Sequence, residues 1–256
     1  MALVCDLDGV IWLADDPVPG AAAAVERVRA AGGRVLFVTN NSALPLAAVE
    51  AKLERFGIPA AGDVITSARA AARLVAPGER VLLCGGPGAA EALEAAGAEV
   101  LRRTDAPVDA VVVGFHRDFD YDEMRRAATA VRRGARLIAT NDDATYPTPG
   151  GPIPGNGAIL AGIVVAAGAD PVIAGKPHAP MAALVRATLG AVDPSDVVMV
   201  GDRPDTDGRF AGALGCRFAL VLSGVTAPAD LAGVSPTPDL VAADLGALVD
   251  RLVGAP

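Results

Sequence analysis

The sequence predicts an α/β protein built on parallel sheet, and three observations carry that reading. Short runs rich in Val, Ile and Leu, such as Arg34–Val38 and Asp196–Val200, read as strands buried on both faces. Ala-rich helical stretches stand between them, so strands and helices alternate as in βαβ units. Polar residues recur directly after the strands, where ligands gather in open parallel sheets.

Taken in order, Leu3–Cys5 is the first strand, and Asp6-Leu7-Asp8-Gly9 follows it. A short segment runs from Ile11 to Pro19, with Asp15-Asp16-Pro17 as a turn. Ala21–Ala31 is a helix with Val25 and Val28 on one face, stopped by Gly32-Gly33. Arg34–Val38 is the next strand and ends at Thr39-Asn40-Asn41-Ser42. A helix over Pro45–Phe56, a short strand over Asp63–Ser67 and a helix over Ala68–Val75 lead to a Pro77-Gly78 linker.

A second unit then begins. Arg80–Cys84, Ala98–Leu101, Ala110–Val113 and Leu137–Thr140 read as strands, and Gly86–Ala96 and Tyr121–Arg133 as helices, the latter capped by Asp120. Tyr146–Gly157 holds four Pro and four Gly, which makes it a structured loop rather than a helix or strand. Gly157–Ala167 is a helix.

The first pattern returns with the strand Val172–Ala174, which ends at Gly175-Lys176-Pro177, and the helix Ala179–Leu189. Asp196–Val200 runs into Gly201-Asp202-Arg203-Pro204-Asp205-Thr206-Asp207-Gly208. Arg209–Ala213 is a short helix, Arg217–Leu222 a strand and Leu245–Leu252 the closing helix.

Composition narrows the function. The chain has 256 residues, enough for one large domain or two smaller ones. A net charge of −8 argues against nucleic-acid binding by phosphate neutralisation. No apolar run approaches the roughly 18 residues of a membrane span, and the start lacks a secretory pattern, so the expectation is a soluble, cytoplasmic protein. Three scattered cysteines, Cys5, Cys84 and Cys216, read as small hydrophobes rather than a disulfide framework or zinc site. Two histidines, His116 and His178, exclude a multi-histidine metal centre by count.

Asp-x-Asp-Gly alone serves a surface turn as well as it serves an active site. Four polar strand ends together change that balance: Asp6 and Asp8, Thr39 and Asn40, Lys176, and Asp202 with Asp207. A parallel sheet would bring them to one rim, and their chemistry jointly fits phosphoryl transfer. A phosphate monoester repels a carboxylate nucleophile, so positioned cations and donors must offset its charge. Mg²⁺ suits a set of oxygen ligands, here Asp6, Asp202 and the backbone carbonyl of Asp8. Lys176 supplies a point charge for the phosphate, Thr39 a hydroxyl and Asn40 an amide donor. Asp6 reads as the nucleophile, through an aspartyl-phosphate. Asp8 reads as the acid that protonates the leaving alcohol and the base that then activates water.

These stretches resemble the four motifs of the haloacid dehalogenase superfamily, in order and spacing, over essentially the whole chain. More narrowly, they resemble its NagD-like and 4-nitrophenylphosphatase or phosphoglycolate-phosphatase-like branch. The resemblance implies Mg²⁺-dependent hydrolysis of a small-molecule phosphate ester on a Rossmann-like core, residues 1–77 and 172–256. It also implies an inserted α/β cap over residues 78–171 that selects the leaving group, and a homodimer through the cap as some relatives form. Asp207 is then expected to support the metal ligands from behind. Two positions depart from the pattern: Gly208 where relatives often carry Ile, and His116 where they often carry Asp. His116 reads as structural, Arg203 as an ion-pair partner of Asp205, and His178 as a helix-start residue.

Three rival readings differ in what they require of the chain. A receiver-like phospho-accepting module lacks both the large insertion and the second carboxylate placed for acid/base work. Dinucleotide binding, suggested by Gly86-Pro87-Gly88, lacks the third glycine, since Glu91 stands in its place. Phosphomutase or other phosphotransfer on the same fold stays open, because it uses the same acid.

Overall fold

The computed structural model describes residues 1–146, 148 and 150–254. The chain forms two compact units: Met1–Thr39, Val49–Ile65 and Ala182–Pro256 make the first, Asn40–Ala48 and Thr66–Met181 the second. The second unit thus takes in more of the chain than residues 78–171. Among the described residues, no helix is long and apolar enough to cross a membrane.

The first unit is organised on a six-stranded sheet. Its order is Leu240–Ala242, Arg217–Val221, Val197–Gly201, Ala2–Cys5, Arg34–Thr39 and Val64–Thr66. Ala2–Cys5 runs parallel to both neighbours, and every residue of Ala2–Cys5 and Val197–Gly201 is buried. Central position explains their continuous apolar runs, since a strand covered on both faces has no polar side to show. Cys5 pairs with Val200, so Asp6 and the Gly201-Asp202 turn leave neighbouring strands side by side. The helix Ala21–Ala30 buries Ala21, Ala24, Val25 and Val28, one stripe at helical spacing, and ends at Gly32 in the left-handed region.

The second unit carries a five-stranded sheet in the order Val172–Ile173, Arg136–Ala139, Ala110–Val113, Arg80–Cys84, Glu99–Leu101, parallel throughout. Helices Tyr121–Arg132 and Asn156–Ala167 pack on one face. There Ala127, Val131, Leu160 and Ile163 join Val111 and Val113 in a buried cluster. Asp120 caps the first of these helices by accepting from the Glu123 N–H at 2.8 Å.

Several expectations need correction. Asp16-Pro17 is not in a turn: Trp12–Leu13 pairs antiparallel with Asp16–Pro17, and Ala14-Asp15 makes the turn, Ala14 at φ +50°. Proline is tolerated there because a two-strand ribbon is all edge. The Tyr146–Gly157 stretch is not all loop, since Thr145–Tyr146 pairs antiparallel with Ile153–Pro154; Pro147 and Pro149 lie outside the described residues. The helix expected over Ala68–Val75 starts at Ser67, capped by the Thr66 hydroxyl, and ends at Ala72. Leu240–Ala242 is a strand the sequence did not announce, three residues being too few for periodicity to register. Pro204–Gly208 forms a π-turn ahead of the helix Arg209–Leu214.

Candidate active site

Asp6 is the first residue past its strand, and its N–H still donates to the Val200 carbonyl at 2.9 Å. The side chain is buried, and Oδ1 accepts from the Leu7 N–H at 2.8 Å. The chain then turns at Gly9, φ +80°, whose N–H donates to the Trp12 carbonyl at 2.7 Å. That turn brings the Trp12 indole back onto Asp8, and Nε1–H donates to Asp8 Oδ1 at 2.9 Å. Asp8 is half-buried. Its carboxylate is therefore oriented by an indole, while that of Asp6 is held by main chain.

Asp202 and Asp207 are both buried. Asp202 Oδ2 accepts from the Val225 N–H at 2.6 Å, and its carbonyl accepts from Thr226 Oγ1 at 2.6 Å. Ser223 Oγ donates to the Gly9 carbonyl at 2.7 Å, which ties the two turns together. Asp207 Oδ2 accepts from the Arg203 N–H at 3.2 Å. Glycines make room for these carboxylates. A Cβ at Gly9 would lie 2.3 Å and one at Gly224 2.0 Å from Asp202 Oδ2, and one at Gly201 would lie 2.1 Å from Asp207 Oδ2.

Oxygen atoms of Asp6, Asp202 and Asp207 all lie within 4.8 Å of one another. At that separation two like charges repel by about 3 kcal/mol per pair at an effective dielectric near 20. Three buried carboxylates so close call for positive charge among them. An all-oxygen, carboxylate-rich set fits Mg²⁺ better than a softer metal. The triad brings in Asp207, which the sequence placed behind the metal ligands, and it does not include the Asp8 carboxylate.

Thr39 ends the strand beside Ala2–Cys5 and is buried. Asn40 and Lys176 belong to the second unit and are bound to each other: the Lys176 N–H donates to Asn40 Oδ1 at 2.7 Å, and Asn40 Nδ2 donates to the Lys176 carbonyl at 3.0 Å. Asn40 Nδ2 also reaches Asp143 Oδ2 at 3.1 Å. The side-chain amide read as a phosphate donor is thus occupied in fixing the Lys176 backbone. A Cβ at Gly175 would sit 2.5 Å from Asn40 Oδ1, so glycine is what lets this lock close. The Asn40 carbonyl accepts from Ser67 Oγ and Asn141 Nδ2 at 2.6 and 2.7 Å.

The remaining singled-out residues are structural in their contacts. His116 sits between the Gly114 carbonyl and Glu123 Oε2, at 3.1 and 2.9 Å. Burial opposes its protonation, but the bonds to Glu123 and Gly114 outweigh burial and raise its pKa above the ordinary value. Arg203 pairs with Asp205 at 3.3 Å, and His178, one residue before its helix, bonds Asp142 at 3.0 Å. Cys5 and Cys84 are buried and Cys216 partly so, all three unbridged. Sequence reasoning missed the Ser223–Thr226 turn and Trp12. The turn follows the apolar strand Arg217–Val221, the same strand-end signal that marked Asp6 and Asp202.

Comparison with known proteins agrees with this geometry. A model of haloacid dehalogenase-like hydrolases matches residues 3–99, and a second model of HAD-hydrolase-like proteins matches residues 173–248. D-glycerol 3-phosphate phosphatase of Mycobacterium tuberculosis is 39% identical over 253 residues, 96% of this chain and 70% of that protein. The chain belongs to the haloacid dehalogenase-like hydrolases. An acid sugar phosphatase of Staphylococcus saprophyticus is 36% identical, covering 98% of this chain and 97% of that protein. Among solved structures, the p-nitrophenyl phosphatase of Archaeoglobus fulgidus superposes with a TM-score of 0.91 at 32% identity, covering 98% of each chain. The glycerol phosphate phosphatase of M. tuberculosis in complex with magnesium does so with 0.88 at 37% identity, covering 96% of this chain and 75% of that one. This hydrolase is a phosphatase of that family, and its buried carboxylate triad is a set that fits magnesium, the metal in that M. tuberculosis structure.

Proposed function

We propose that this enzyme hydrolyses small polyol or sugar phosphates, with Asp6 as nucleophile and Asp8 as acid and base. The buried cluster of Asp6, Asp202 and Asp207 is the observation that carries the reading, supported by the relatives' names. Mg²⁺, held by Asp6, Asp202 and the Asp8 carbonyl, with Asp207 at the same cluster, would neutralise phosphate charge and orient it for attack.

The residues then divide the work. An Asp6 oxygen attacks phosphorus and forms the aspartyl-phosphate as the ester P–O bond breaks. Asp8 gives its proton to the departing alkoxide, then removes one from the water that cleaves the acyl-phosphate. Thr39, the Asn40 main chain and Lys176 bind the phosphoryl oxygens, and the Asn40 side chain positions Lys176. Residues 78–171 act as the cap that selects the leaving group, and residues 1–77 and 172–256 as the catalytic core. The enzyme works in the cytoplasm as a homodimer through that cap, on small molecules rather than nucleic acid; its mass in solution tests the dimer.

The central experiment is a panel of phosphomonoesters assayed for kcat/KM with Mg²⁺ and with EDTA. Glycerol and sugar phosphates should lead the panel, and EDTA should stop turnover. A panel led by nucleotides or aromatic esters overturns the substrate class; turnover that survives EDTA overturns the mechanism.

A further inference from the structure

The second unit holds a cavity of about 560 Å³, within the size of small-molecule sites, that the proposed reaction does not use. Its walls are the carboxyl ends of three parallel strands. Gly85 and Gly86 follow Arg80–Cys84, Arg102 and Arg103 follow Glu99–Leu101, and His116 follows Ala110–Val113. Arg80–Cys84 lies between the other two strands. From it the chain passes through the helix Pro87–Ala95 to Glu99–Leu101 on one side. From Ala110–Val113 it passes through Tyr121–Arg132 to Arg136–Ala139 on the other. The connections diverge at this point, which is where open α/β sheets take their ligands.

Polar groups converge on the cavity with an uneven charge. Arg102 Nη1 donates to the Gly85 carbonyl at 2.8 Å, a neutral partner, and no carboxylate among the described residues forms an ion pair with it. Arg103 is held at φ +48°, a left-handed conformation unfavourable for a non-glycine residue. Its guanidinium bonds Asp120 Oδ2 at 2.7 Å and the Asp118 carbonyl at 3.2 Å. His116 Nε2 and Glu123 Oε2 are bonded in the wall at 2.9 Å, and their charges offset when His116 is protonated. Arg102 therefore stands as the cationic end, beside Gly85 and Gly86 ahead of the Pro87–Ala95 helix, whose Gly88 N–H is itself taken by the Ala43 carbonyl at 3.0 Å. The exposed carboxylate of Asp118 stands as the acceptor end.

We propose that this cavity is a second ligand site, for a small phosphate ester carrying hydroxyls, of the nucleoside monophosphate type. The phosphate lies against Arg102 and the Gly85-Gly86 turn, and the sugar hydroxyls donate to Asp118. The reading is independent of the catalytic assignment, because none of these residues belongs to the reaction.

Isothermal titration calorimetry with AMP on the full chain, in EDTA so that turnover stops, tests the proposal. Wild type and Asp6→Asn should bind AMP alike, Arg102→Ala at least about tenfold more weakly, and Arg102→Lys in between. Adenosine, lacking the phosphate, should bind at least about tenfold more weakly than AMP to the wild type. No binding of AMP by wild type, equal affinity in Arg102→Ala, equal affinity for adenosine, or binding lost in Asp6→Asn would each overturn it. Arg102 is exposed, so its variants should keep the wild-type Tm and the wild-type turnover of 4-nitrophenyl phosphate with Mg²⁺.

Discussion

Gly224→Ala should disable the site by displacing a single carboxylate. The added Cβ would stand 2.0 Å from Asp202 Oδ2, 2.5 Å from Cγ and 2.6 Å from Cβ. Ordinary contact begins near 3.4 Å, so the carboxylate must retreat by about 1.4 Å. Asp is short and buried, and its Oδ2 is held by the Val225 N–H, so the retreat breaks a charge-assisted bond worth roughly 1.5–3 kcal/mol. Metal ligands tolerate displacements of only about 0.2 Å. Mg²⁺ affinity should fall by about 10–100-fold, and turnover by about 100-fold at fixed Mg²⁺. Magnesium titrations of 4-nitrophenyl phosphate hydrolysis read both effects. Gly212→Ala is the control: nothing stands within 4 Å of a Cβ there, and the residue is helical, so it should gain about 0.5–1 kcal/mol at unchanged activity. If Gly224→Ala binds Mg²⁺ as the wild type does, Asp202 is not a metal ligand and the reasoning fails.

Asp6→Asn should remove turnover altogether, and Asp8→Asn should lower kcat by about 10²–10⁴-fold; near-normal rates in Asp6→Asn would move the nucleophile elsewhere. Asn40→Ala removes three hydrogen bonds at Lys176 and Asp143, and should cost about 2–4 kcal/mol of stability and raise KM, read by denaturation and steady-state kinetics. His116 gives a pH signature. Its pKa is raised in the fold, so its contribution is complete below the ordinary value and is lost as pH rises through the raised one. The Tm difference between wild type and His116→Gln should therefore shrink from pH 6 to pH 8, and a constant difference would show that the Glu123 pair is not titrating.

Much of this was legible in the chain because a buried parallel strand writes an unbroken apolar run. The first polar residue after it, Asp6 or Asp202, marks the functional edge. Ser223 carries the same mark, but a hydroxyl without charge gives no hint of its chemistry. The bonds between Asn40 and Lys176 span 136 positions, and no local pattern encodes them. Sequence spacing likewise cannot say that Gly201 and Gly224 stand against carboxylates, since only the folded approach distance does so. Asp207 reaches the cluster of Asp6 and Asp202 through the π-turn Pro204–Gly208, which no periodicity announces.

Trp12 is the one tryptophan in the chain. Its indole N–H ends on Asp8, the Lys52 ammonium lies 4.4 Å from its ring centre, and Phe56 packs 6.1 Å away. The protein's tryptophan emission thus comes from a chromophore bonded to the group assigned to move the proton. Protonation of Asp8 withdraws a negative charge from the indole nitrogen, and that change shifts the emission directly. The wild-type enzyme carries its own optical probe of the catalytic acid, readable in stopped flow without any label.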